Sequence, residues 1–163
     1  MSKCYLIHQY ECYVYPPNSK VILNHKEKQE LLDNHSGKEY SCFSGDRIHS
    51  IDSILFAFKF VIRYDGNLIG YGVLVDKVDY YYLCNLCTFS KARSKGIMRR
   101  CLRFILSNVF MDKSIQLKVD KKNKYNLHTK KHPNGKVYDF YLSLGFKKKS
   151  EDRFNYVLEK TKQ

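Results

Sequence analysis

Between Phe89 and Ile97 the hydrophobic period of this chain changes, and that change demands a sheet and a helix built side by side. Tyr80 to Phe89 is an apolar, β-rich run. Ser90 to Lys95 is polar and basic and leads into Gly96. The apolar residues that follow are Ile97, Met98, Cys101, Leu102, Ile105, Leu106 and Val109, which is the spacing of one helix face, with Arg99, Arg100 and Arg103 on the other side. A strand passed through a short glycine loop into an amphipathic helix is a building unit of α/β domains.

The remaining segments fill in that class. Cys4 to Tyr15 reads as a strand stopped by Pro16-Pro17, and Ser19 to Asn34 as one helix or two short ones. Residues 35–49 are polar and read as a loop. Residues 54–62 form a nearly continuous apolar run, the mark of a central strand. Asp65-Gly66-Asn67 is a hairpin turn, with Leu68 to Val75 as the returning strand. Ile115 to Val119 is a further strand, residues 120–135 a basic loop, and Val137 to Leu144 a short helix stopped by Gly145. Phe146 to Lys149 and Phe154 to Leu158 are two last strands. The order predicts an α/β domain with a mixed sheet, antiparallel early and with parallel crossovers later. With no internal repeat and no long linker, residues 1–163 are expected to make a single domain.

Composition excludes several classes. A chain that is 44% hydrophobic with eight Gly and three Pro is neither disordered nor collagenous. No apolar run approaches the ~18–20 residues needed to span a bilayer, so no membrane partner is expected. The opening residues soon reach His8, Gln9 and Glu11, unlike a signal peptide. Six cysteines without a secretory signal are expected as reduced thiols in a cytoplasmic protein. Cys84 and Cys87 form a CxxC, but no second pair lies nearby and strand positions three apart face opposite ways, so no metal site is expected. Charge is more telling. Residues 1–90 carry 9 Lys and Arg against 10 Asp and Glu, whereas residues 91–163 carry 20 against 6. Such an asymmetry points to a polyanionic partner, whether nucleic acid, an acidic surface or a phosphorylated cofactor, or simply to a solvated basic face.

The segment from Leu86 to Arg100 concentrates these signals. A helix N-terminus exposes unpaired amides and the positive end of the helix dipole, which suits a phosphate. Gly96 permits close approach, and Arg93 and Lys95 add charge. Arg93-Ser94-Lys95-Gly96-Ile97-Met98 resembles the fingerprint of the GCN5-related N-acetyltransferase (GNAT) superfamily: Arg or Gln, two residues, Gly, one residue, then Gly or Ala. It departs at Met98, where the family has a very small residue. Leu117 to Asn123 is similar to the strand and Asn that follow in the family, and Phe140-Tyr141-Leu142-Ser143-Leu144-Gly145-Phe146 to its closing helix. The resemblance covers residues 53–158.

The resemblance implies a single GNAT-like domain whose mixed central β-sheet has splayed strands and flanking helices. It implies acetyl-CoA as co-substrate. The pantetheine arm would lie along Cys87, Thr88 and Phe89, and the pyrophosphate on the loop of Arg93, Ser94, Lys95, Gly96, Ile97 and Met98, with Asn123 as a further contact. Met98 would crowd that cleft, or be only the first core residue of the helix. Tyr141 would be the general acid at the leaving sulfur, and a backbone amide near Thr88 or Phe89 would stabilise the oxyanion. No carboxylate stands in residues 80–89 to serve as base; Asp76, Asp79, His128, His132 or a water chain are the alternatives. Residues 124–136 insert a lysine- and histidine-rich loop, suited to the acceptor or to an anion. The implied activity is direct acetyl transfer to a primary amine on a protein, a small molecule or an aminoacyl-RNA, by a monomer or homodimer. The acceptor is expected to be bulky or acidic. The competing expectation is a non-catalytic module holding nucleic acid on the basic half, although no nucleic-acid motif is present.

Overall fold

The N-terminal apolar run is two strands, not one. It reverses at His8 and Gln9, so that β1 (Lys3–Ile7) pairs antiparallel with β2 (Tyr10–Tyr15). His8 takes the left-handed φ of 56° in the turn. Neither turn residue is Gly, Asn or Asp, which is why composition gives no sign of the reversal. The protein is seen in a computed structural model that describes residues 1–35, 57–89, 92, 95–121 and 136–162. These gather into two compact units, Met1–Asp76 with Asn85–Cys101, and Lys77–Cys84 with Leu102–Gln163.

In the first unit β2 pairs antiparallel with β3 (Ala57–Tyr64), and β3 with β4 (Asn67–Asp76). The β3–β4 turn is the expected one: Asp65 and Gly66 have φ of 48° and 70°, the paired left-handed values of a tight hairpin. β5 (Tyr80–Thr88) is next to β4 in the sheet. One face carries a core of Tyr15, Val21, Val61, Leu68, Tyr71, Cys87 and Phe89.

Two cations from β3 tie down the irregular stretch that follows β2. Lys59, 1% exposed, donates from Nζ to the Ser19 carbonyl at 2.7 Å. Arg63 donates to the Ile22 carbonyl at 2.8 Å. Helix α1 (His25–His35) then starts six residues later than the apolar pattern from Ser19 suggested. Its start is fixed by a reciprocal cap: the Glu27 amide donates to Asn24 Oδ1 at 2.9 Å, and the Asn24 amide to Glu27 Oε2 at 3.0 Å. The loop at 36–49 and the first residues of the run at 54–62 lie outside the described residues.

In the second unit the start of β5 pairs parallel with β6 (Ser114–Asp120). That pairing covers Tyr80 with Ser114, Tyr81 with Ile115 and Tyr82 with Gln116, and no further pair follows at Leu83 and Cys84. The sheet is therefore mixed and splayed. β6 pairs antiparallel with β8 (Asn155–Lys160), and β8 with the edge strand β7 (Lys147–Glu151). Helix α2 (Ile97–Asn108) begins in the first unit and ends in the second, as its apolar spacing predicted. Leu102, Ile105 and Leu106 on α2, and Ile115, Leu117 and Leu158 on the strands, are at most 2% exposed. Helix α3 (Lys136–Leu142) closes at Gly145, whose φ of 89° is the left-handed stop the sequence called for.

Candidate active site

The start of α2 is organised by Gly96. Its φ is 71°, a conformation that residues with side chains rarely adopt. Its carbonyl accepts the Arg100 amide at 3.1 Å, the first turn-closing bond of the helix. The amides of Ile97 and Met98 precede that first bond, in the turn where a helix presents donors outward. No acidic residue lies in that turn. Arg100 folds back, donating from Nη2 to the Lys95 carbonyl at 3.0 Å, and a Cβ at residue 96 would stand 3.4 Å from that nitrogen. Positive charge therefore collects at a helix end that is already positive.

Sequence reasoning had placed Arg100 only on the outer helix face. Its position one turn after Gly96 was the available signal, since residues four apart share a side of a helix. Met98 lies among the core residues, the second of the two readings its place in the motif allowed. Its side chain is 6% exposed and turns inward, and its Cε lies 2.7 Å from where a Cβ on Gly70 of β4 would stand. Gly70 is a second residue the motif did not reveal. A glycine inside a strand pattern is the signal for such a close approach.

Cys87 and Phe89 are buried and Thr88 is partly buried. The Phe89 amide donates to the Ile69 carbonyl at 3.0 Å, and its carbonyl accepts the Ala92 amide at 2.9 Å. That amide is spent on the fold, which removes it as an oxyanion donor. Cys4, Cys12, Cys84 and Cys101 are free, so Cys84 and Cys87 are not joined to each other. Arg93, Ser94, Asn123, His128, His132 and residues 124–135 lie outside the described residues. Asp76 and Asp79 are exposed and flank the β4–β5 turn, at the opposite end of β5 from Thr88.

In the second unit Tyr141 lies on α3 between two aromatic neighbours, edge-on to Phe140 at 5.2 Å and to Phe146 at 5.7 Å between ring centroids. Its carbonyl accepts the amides of Leu144 and Phe146 at 3.0 and 3.2 Å, so the helix stop at Gly145 also fixes Tyr141. Burial pushes its phenol above the ordinary tyrosine value, itself already high enough to keep the hydroxyl protonated at neutral pH. Among the described residues no group of three or more His, Cys, Asp or Glu could hold a metal ion, and no helix is long and apolar enough to cross a membrane.

A mixed, splayed sheet flanked by helices defines the class of α/β fold. The acetyltransferase (GNAT) domain family matches residues 57–148, and the chain belongs to that family. No curated protein sequence matches. Solved structures of similar fold include the ribosomal-protein-S18-alanine N-acetyltransferase of Escherichia coli, with TM-score 0.62 and 12% identity over 92% of this chain and 93% of that one. The Campylobacter jejuni N-acetyltransferase PseH in complex with acetyl coenzyme A has TM-score 0.60 and 15% identity over 86% and 94%. Arabidopsis thaliana Naa50 in complex with the bisubstrate analogue CoA-Ac-MVNAL has TM-score 0.56 and 16% identity over 92% and 98%.

Proposed function

We propose that the chain transfers the acetyl group of acetyl-CoA directly to a primary amine, with its two units acting as one N-acetyltransferase domain. The observation that carries this reading is the start of α2, where a left-handed Gly96 and the absence of an acidic cap leave a cationic helix end suited to phosphate. The residues fit the group: the amides of Ile97 and Met98 would hold the pyrophosphate. Lys95 and Arg100, both exposed, would add charge, as would Arg93, and Ser94 of the same motif would offer a hydroxyl. A pantetheine arm along the end of β5 would meet Cys87 and Thr88, and Asn123 remains a proposed contact. That solved structures of like fold hold CoA or its acetyl form supports the assignment.

Acetyl-CoA brings an acetyl group already activated as a thioester. The chain must bind it, present the amine and supply a proton to the departing sulfur. Tyr141 would carry that proton: its phenol is protonated at neutral pH, as a tyrosine ordinarily is, and Phe140 and Phe146 pack edge-on against its ring. For the acceptor, the neighbours named for a ribosomal-protein alanine and a CoA-linked acetyl peptide support an amine at the end of a polypeptide. A screen of peptide, small-molecule and aminoacyl-RNA amines, read by release of free thiol, tests the reading. Tyr141→Phe should lower turnover by about 10²–10⁴-fold while acetyl-CoA affinity changes little. Near-normal turnover, measured where chemistry limits the rate, would leave Tyr141 as a packing residue only.

A further inference from the structure

Gly70 and Gly72 are alternate positions of β4, on the same face of the sheet, and each is covered by a side chain from another segment. Over Gly72 lies the ring of Phe60, its cross-strand partner. That cover belongs to the hairpin itself. Over Gly70 lies something from outside the hairpin: the methyl of Met98, the second residue of α2. An ideal Cβ on Gly70 would stand 2.7 Å from Met98 Cε and 2.7 Å from the Cys87 carbonyl oxygen. Real Cβ atoms do not tolerate such distances: with a side chain at 70 the Met98 methyl, the end of a flexible chain, would have to leave the recess, and the Cys87 carbonyl, as backbone, would resist moving.

We propose that Gly70 is a positioning residue for the start of α2: its missing side chain forms the recess that takes Met98. The recess explains how this chain carries Met where the family motif has a very small residue. The bulk at 98 is turned down onto β4, while the first-turn amides point along the helix axis. An unbranched, flexible thioether can make that turn, and a β-branched side chain cannot follow it. A side chain at 70 would press on Met98 from below and on the β5 backbone beside it. The claim rests on the reading that α2's start binds the acetyl-CoA phosphates.

The test is a cycle of four proteins, wild type, Gly70→Ala, Met98→Ala and the double variant, each titrated with acetyl-CoA and each unfolded in urea. Gly70→Ala should bind about tenfold more weakly while still folded. Adding Met98→Ala should recover about threefold of that loss. Recovery stays incomplete, because the contact with the Cys87 carbonyl remains. Met98→Ala alone supplies the fourth corner, against which the loss in the double variant is compared. Unchanged affinity in folded Gly70→Ala, or losses that simply multiply in the double variant, would overturn the proposal. If wild type itself binds no acetyl-CoA, the reading of α2's start has failed, and Gly70's positioning role fails with it. If Gly70→Ala does not fold, Met98→Ile probes the same contact from the other side. Weaker binding by folded Met98→Ile supports the recess, and wild-type binding overturns it.

Discussion

Two helices begin in the first unit, and their first turns are opposites. At α1 the chain satisfies its own amides: Asn24 and Glu27 cap each other through hydrogen bonds of 2.9 and 3.0 Å. Arg63 then neutralises Glu27, donating from Nε at 2.6 Å and from Nη2 at 3.0 Å. At α2 the equivalent cap position is Gly96, which has no side chain to offer, and the third residue of the helix is Arg99 instead of a glutamate. Arg100 reinforces the positive charge there instead of offsetting it. A side-chain cap stabilises the fold, whereas a glycine at the cap position leaves room for an anion to approach. The difference teaches where to look for a ligand: at the helix start whose cap position has no side chain.

The largest expected effect breaks the side-chain cap. Glu27 is 2% exposed and Arg63 is largely covered, so Glu27→Gln leaves a buried guanidinium without its counter-charge. Removing one partner of a buried pair costs about 3–5 kcal/mol. We expect a loss of that size in urea unfolding. Burial alone would raise the Glu27 carboxyl, but the Arg63 hydrogen bonds and charge and the Asn24 amide outweigh it and hold it below the ordinary value. A lowered native pKa contributes stability that is complete above the unfolded value of about 4.3 and is lost as pH falls through the native one. Glu27→Gln should therefore flatten the acid limb of the stability curve. A variant as stable and as acid-sensitive as wild type would show that the cap matters less than its geometry implies.

The next effect fills the glycine cap. Gly96→Asp places a carboxylate where the helix end is proposed to receive pyrophosphate. Acetyl-CoA binding should weaken at least about tenfold, or ~1.4 kcal/mol. Stability should change much less, because an acid at a helix N-terminus gains about 0.3–1 kcal/mol against the cost of a left-handed backbone. Unchanged affinity in the folded variant would remove the start of α2 from the site and end the contrast between the two helices.

How much of this was legible depends on how local each cause is. The Asp65-Gly66 turn and the Gly145 stop are set by neighbouring residues, and the glycines there take φ of 70° and 89° as the local pattern required. The apolar spacing of α2 named the residues that are now buried, from Ile97 to Leu106. Asn24-x-x-Glu27 was also written in the chain as a capping signature, although the broad apolar pattern from Ser19 obscured it. Its partner Arg63 is 36 positions away and no spacing rule links them. The same limit applies to the candidate site. Gly96 and Lys95 belong to one contiguous motif, whereas the inward turn of Met98 needs Gly70 from a different strand. Chemistry carried by contiguous residues can be read along the chain, and chemistry carried by a fit between distant ones needs the fold.

The smallest expected effect separates two roles for Arg100. Its guanidinium both braces the loop, through the Lys95 carbonyl at 3.0 Å, and adds charge at the helix start. It is exposed, so its contribution to stability should be under about 1 kcal/mol. Arg100→Gln removes both roles. Arg100→Lys keeps the charge but loses the planar fork that reaches back to the loop. If charge matters, the Gln variant should bind acetyl-CoA about threefold more weakly at low salt, with the deficit fading as salt screens it, and Lys should sit near wild type. If bracing matters, both variants should lose affinity equally and salt should make no difference. Equal binding by all three proteins would leave the backbone amides as all that the glycine cap offers, which is the sharper form of the contrast with α1.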